Sequence, residues 1–147
     1  MVALLSACAA LAGILNTVQS GANVTLTKAT GQPILALFVV ALTGTATYAA
    51  AIPFVGLAWP GAERFASVPW WAWTGGVLGG VYVLSMVFVA PVVGAAAFTG
   101  VTVTAGLVTS LVLDHFGWLG FDVHAAGLGR ILGGLLMVAG VALVCLF

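Results

Sequence analysis

The residues able to do chemistry are few, and their placing is informative. Asn16, Gln19 and Asn23 recur at i, i+3 and i+7, so they share one face of a helix that carries them. Thr17 and Ser20 flank that face. Amides within an apolar stretch can bind a polar solute, or tie helices together at ~0.6–2 kcal/mol per bond. Gln19 and Asn16 are the leading pathway candidates, with Asn23 nearer the end of the stretch. Tyr48, Trp73, Tyr82 and Ser85 can line the same cavity, although aromatics on apolar helices more often pack or face lipid. Thr99, Thr102, Thr104, Thr109 and Ser110 form a run of hydroxyls, most of which are expected to bond the carbonyl four residues back.

A second group, Asp114, His115, Asp122, His124 and Arg130, sits where apolar stretches end. A hairpin there brings Asp114 near Arg130 as an ion pair. Its functional reading is a gate or proton coupling, since histidine titrates near neutrality. Its plainer reading is an interfacial cap and topology anchor. The two histidines and two aspartates are irregularly spaced for zinc, so no metal and no cofactor is expected. No acid lies inside an apolar stretch, and no Ser-His-Asp order, phosphate-binding glycine loop or HExxH is present. Enzymatic activity is not expected.

These residues need elements to hold them, and composition says which. The 147-residue chain is 63% hydrophobic and 4% charged, far below the roughly 25% charge of a soluble domain. Six charged side chains (Lys28, Glu63, Arg64, Asp114, Asp122, Arg130) cannot cover a water-facing surface. Lipid is the expected solvent. With no basic run, nucleic-acid binding is not expected. Cys8 and Cys145 form no CxxC pair and are expected as small buried hydrophobes. Leu5-Ser6-Ala7-Cys8 matches a lipoprotein cleavage box, but no Lys or Arg precedes it and the apolar run before it is short. The segment is expected to remain a membrane helix.

Five transmembrane helices are expected, over about residues 2–24, 33–57, 71–89, 93–113 and 125–147. Each approaches the ~20 residues that cross ~30 Å of hydrocarbon. Helices satisfy every backbone polar group internally, as lipid requires. Gly31-Gln32-Pro33, Trp59-Pro60-Gly61 and Asp114-His115-Phe116-Gly117 punctuate the helices, and Val68-Pro69-Trp70-Trp71 reads as an interfacial aromatic belt. Pro53 is expected to kink helix 2 or end it early. The boundary near Pro91 is the weakest, and one broken helix there would leave four spans. Five is preferred, because residues 71–113 are far too long for one crossing. The chain reads as a single transmembrane domain, residues 1–147.

Five spans place Arg64 and Arg130 on one side and Lys28 on the other. That split carries almost no positive-inside bias, so insertion both ways is open to the chain. Overlapping GxxxG pairs, Gly75 with Gly79 and Gly76 with Gly80, lie in helix 3, and Gly129 with Gly133 in helix 5. Small residues at this spacing let helices approach closely, within one chain or between two.

Several blocks in order carry a resemblance: Asn16-Thr17-Val18-Gln19-Ser20-Gly21-Ala22-Asn23; Pro69-Trp70-Trp71 before Gly75-Gly76-Val77-Leu78-Gly79; Pro91-Val92-Val93-Gly94-Ala95-Ala96; and Thr109-Ser110-Leu111-Val112-Leu113-Asp114-His115-Phe116-Gly117, followed by Arg130 and Gly133-Gly134. Over nearly its whole length the chain resembles the YdcZ-type family of the drug/metabolite transporter (DMT) superfamily. The resemblance implies a multi-pass protein of the bacterial inner membrane with about five helices. It also implies an all-α fold forming one half of an inverted-repeat transporter. A short unfused chain reaches that symmetry by antiparallel pairing, with the pathway at the interface near the midplane. Gln19 and Asn23 match the family's helix 1 polar positions, and Ser110 and Asp114 match the end of its helix 4 motif. Where the family pattern has Gly-Gln in helix 4, this chain has Ala105-Gly106, so the helix 4 amide of a two-glutamine site is absent here. The chain also lacks the helix 1 acid of the small multidrug resistance exporters.

The expected function is transport of a small polar or neutral solute by an antiparallel homodimer, or by a heterodimer with a related chain. Gln19, Asn16, Asn23, Tyr48, Trp73, Tyr82, Ser85 and Ser110 line the pathway. Asp114, His115 and Arg130 gate or couple it. The alternatives are a non-transporting subunit that needs a paralogous partner, and a multidrug-resistance-like exporter.

Overall fold

Long apolar runs with few breakers form long helices, and the glycines that adopt positive φ mark where they stop. The protein is described here by a computed structural model over residues 1–56 and 61–147. Its main helices are α1 (Val2–Thr30), α2 (Pro33–Val55), the short α3 (Ala62–Ala66), α4 (Gly75–Val93), α5 (Ala95–Phe116) and α6 (Leu128–Leu146). Two 3₁₀ turns, Trp70–Thr74 and Trp118–Gly120, precede α4 and follow α5. No strand occurs among the described residues. Among the described residues, five segments are long and apolar enough to cross a membrane: α1, α2, Trp70–Val93, α5 and α6.

The helix ends follow local backbone chemistry more closely than hydropathy. α1 runs six residues beyond the expected end at Val24, to Thr30. Thr25, Thr27 and Lys28 are polar yet helical, and the helix stops only where Gly31 takes φ 64° and its N–H bonds the Thr27 carbonyl. At ~1.5 Å per residue, 29 residues span about 43 Å, which carries Lys28 past a ~30 Å hydrocarbon layer. Pro33 opens α2 at a position where its missing N–H leaves nothing unpaired. Pro53 does not end α2, which continues to Val55 before Gly56 at φ 63°. The expected helix end at Leu57, and Trp59-Pro60 of the break beyond it, lie outside the described residues. Pro91 likewise sits inside α4, and the separation from α5 falls at Gly94, whose φ is 93°.

The chain divides into two compact units, Met1–Phe88 and Val89–Phe147. In the first, α1 packs on α2. Ala36 is fully buried and Asn23 is 3% exposed, both close to the Gly31 turn. In the second, α5 packs on α6 through two glycines. A methyl group built at Gly100 would lie 3.2 Å from Val141, and one at Gly134 would lie 3.3 Å from Leu111. Small residues at these points let side chains of one helix seat on the backbone of the other.

The charges keep clear of mid-span. Lys28 lies in the last turn of α1, Glu63 and Arg64 on α3, and Asp114 near the end of α5. Asp122 lies in the connection that follows, and Arg130 in the first turn of α6. Trp70, Trp71 and Trp73 gather at the start of a span and Trp118 just past the end of one, as interfacial tryptophans do. Cys8 and Cys145 are exposed, contrary to the expectation of burial, because few side chains of their own chain cover the helix ends that carry them.

Candidate functional site

In the first unit, the amide face of α1 changes character along its length. Asn23 is buried, and its side-chain nitrogen has no hydrogen-bond partner among the described residues. Thr27, one turn on, also has a buried hydroxyl without a partner. Asn16 and Gln19 are exposed, and neither side chain has a hydrogen bond among the described residues. Gln19 stands near the middle of the 29-residue helix. Of the hydroxyls on the same helix, Thr17 donates to the Gly13 carbonyl at 3.2 Å and Thr25 to that of Gly21 at 2.9 Å. The spacing of Asn16 and Asn23 extends to Thr27 at i+11, a further position on the same face that counting amides alone passes over.

The other candidates in this unit are more dispersed. Tyr48 is 77% exposed on α2. Trp73 is exposed, with its ring centroid 6.2 Å from that of Phe65. Tyr82 is partly covered on α4, and the Ser85 hydroxyl donates to the Val81 carbonyl at 2.9 Å. Gly76, Gly79 and Gly80 border a groove against α2 lined also by Leu37, Phe38 and Ala41. A methyl group at any of Gly75, Gly76, Gly79 or Gly80 would meet no atom within 4 Å.

In the second unit, the polar residues converge. Arg130 Nη1 lies 3.4 Å from Asp114 Oδ2 and donates also to the His124 carbonyl at 3.4 Å. The His124 backbone N–H donates to the Asp114 carbonyl at 2.8 Å. The Ala126 backbone N–H donates to His115 Nδ1 at 3.2 Å. His124 Nδ1 donates to the Asp122 carbonyl at 3.0 Å. Ser110, Asp114, Arg130 and Gly133 line one groove of about 560 Å³, and His115 lines another with Phe116, Ala126 and Ile131. The connection between α5 and α6 is tightly folded. Gly117 takes φ 63°, Leu119 φ 57° and Gly120 φ 86°, and a Cβ built on Gly117 would lie only 2.7 Å from the Val123 side chain.

The run of hydroxyls on α5 divides. Thr102 and Thr109 bond the carbonyls of Phe98 and Ala105, each at 2.9 Å. Thr104 is 7% exposed and its hydroxyl has no partner among the described residues. Open space stands beside Gly129 and Gly133, while the close approach to α5 falls on Gly134.

Five apolar spans, amides at mid-span and charges at the helix ends describe a multi-pass helical membrane protein. Comparison with known proteins narrows this class. Residues 4–143 match the family described as "Putative inner membrane exporter, YdcZ". The chain is 33% identical over 134 residues to the inner membrane protein YdcZ of Escherichia coli (strain K12), covering 90% of this chain and 89% of that protein. No solved structure matches it. The chain belongs to the YdcZ family of the drug/metabolite transporter superfamily, a family of inner-membrane transporters.

Proposed function

We propose that the chain exports a small polar or neutral solute as an antiparallel dimer, with the pathway at the interface between two copies. The observation that carries this reading is Gln19. A primary amide near the middle of a long apolar helix, exposed from its own chain and without a hydrogen bond, cannot be satisfied by lipid. It needs a second chain or a wet pathway, and an interface between copies supplies both. Export follows the description of the family.

The substrate class follows from the donors on offer. Amides and hydroxyls bind neutral or modestly polar groups, and no fixed charge stands at mid-span to hold a strong cation. Asn16, Asn23, Tyr48, Trp73, Tyr82, Ser85 and Ser110 complete the pathway, and Asp114, His115 and Arg130 form the gate. The open faces at Gly75, Gly76, Gly79 and Gly80, and at Gly129 and Gly133, are where a second copy approaches closely. An odd number of spans supports the antiparallel arrangement, because a second five-helix unit joined in line is inverted automatically.

Tandem fusions test this. Two copies joined by a short soluble linker are inverted, whereas an added single-span linker forces them parallel. In proteoliposomes preloaded with a panel of polyols and small amides, the inverted tandem is expected to release the same solute as the single chain, saturably. The parallel tandem is expected to fall to background. Equal flux from both tandems contradicts the antiparallel pathway. Flux that appears only when a related chain is co-expressed supports the subunit alternative.

A further inference from the structure

We infer that His115 is a proton-operated latch on the connection between α5 and α6. The inference rests on which hydrogen bonds tolerate protonation. A backbone N–H can only donate, so the Ala126 N–H at 3.2 Å requires a lone pair on His115 Nδ1. That lone pair exists only while the ring is neutral, with its proton on Nε2. When Nδ1 takes a proton from water, two donors face each other and the contact breaks.

His124 behaves in the opposite way. Its Nδ1 faces the Asp122 carbonyl, which can only accept, so this nitrogen already carries a proton. Charging that ring at Nε2 leaves the bond in place. Protonation therefore acts differently on the two histidines: it breaks the His115 tie and leaves that of His124 in place.

The remaining ties show what is released. The His124 N–H to the Asp114 carbonyl, and Arg130 to both the Asp114 carboxylate and the His124 carbonyl, hold the middle of the connection whether or not His115 is charged. The Ala126 contact holds its last turn before α6. Besides His115, the charged and titratable residues on its own helix end, the connection and the start of α6 are Asp114, Asp122, His124 and Arg130. His115 is exposed, and water can satisfy the freed Ala126 N–H, so the latch is weak enough to reverse. It is closed while the imidazole is neutral and opens when Nδ1 is protonated. The latch does not depend on what the chain transports or on its pairing.

Amide hydrogen exchange on the full chain in nanodiscs, with protons as the only ligand, tests the latch. After correction for intrinsic rates, the Ala126 amide is expected to exchange about two- to tenfold faster at pH 5.5 than at pH 8, the weight of one hydrogen bond. His115→Asn places a permanent acceptor near the Nδ1 position and should flatten that response, while His124→Asn should leave it as in the native chain. An unchanged pH response in His115→Asn, its loss in His124→Asn, or no response in the native chain overturns the latch.

Discussion

Gln19→Leu is expected to abolish transport while leaving the fold and any dimer intact. A side-chain amide in a water-poor pathway offers a solute one donor pair and one acceptor. Losing such a partner is worth ~1–3 kcal/mol per hydrogen bond, so one lost bond slows flux about tenfold and two bring it to background. The same change should not destabilise the chain. The Gln19 side chain has no hydrogen bond among the described residues, and leucine suits lipid better than an amide. The measurement is solute flux beside oligomeric state and thermal stability in the same detergent. Normal flux by Gln19→Leu removes Gln19 from the pathway, and lost flux together with a lost dimer assigns it to packing instead.

Gly134→Leu is expected to have the largest effect on the fold. A methyl group at Gly134 already meets Leu111 at 3.3 Å and Leu107 at 3.8 Å, so an isobutyl group must displace both leucine side chains or push α5 from α6. Overpacking of this kind is destabilising by ~1–3 kcal/mol and sometimes more. Gly133→Leu, its neighbour in sequence, points into open space and should change the stability of one chain by less than ~0.5 kcal/mol. Unfolding in mixed micelles, followed by tryptophan fluorescence, separates the two. Equal losses would contradict the packing of α5 on α6. A dimer weakened by Gly133→Leu with unaltered chain stability would place that glycine between copies.

The contrast between Gly133 and Gly134 shows where reading a sequence stops. Five spans are legible because ~20-residue apolar runs have few other fates in lipid, and the structure carries all five. The approach of Asp114 to Arg130 is legible too, since each sits at the end of one of two consecutive apolar runs. A GxxxG spacing, however, names a pair of small residues on a helix without naming the face turned to a neighbour. Inside this chain that face falls on Gly100 and Gly134, and neither belongs to the pairs the spacing picks out. Helix ends were blurred for a related reason. Hydropathy falls off near Val24, yet Thr25 to Thr30 stay helical until a glycine supplies positive φ. The His115 contact with Ala126 depends on how the connection folds back at Gly117, Leu119 and Gly120, which no periodicity encodes.

The central claim, two copies in opposite orientation, is tested most directly by labelling in intact cells. With Cys8 and Cys145 replaced by alanine, single cysteines at Ala29→Cys, beside Lys28, and separately at Ala66→Cys, near Arg64, are probed with a membrane-impermeant thiol reagent. Antiparallel pairing of one chain predicts that both sites label from outside in roughly equal fractions. Labelling at one site alone would contradict an antiparallel homodimer and direct the search to an oppositely oriented partner chain.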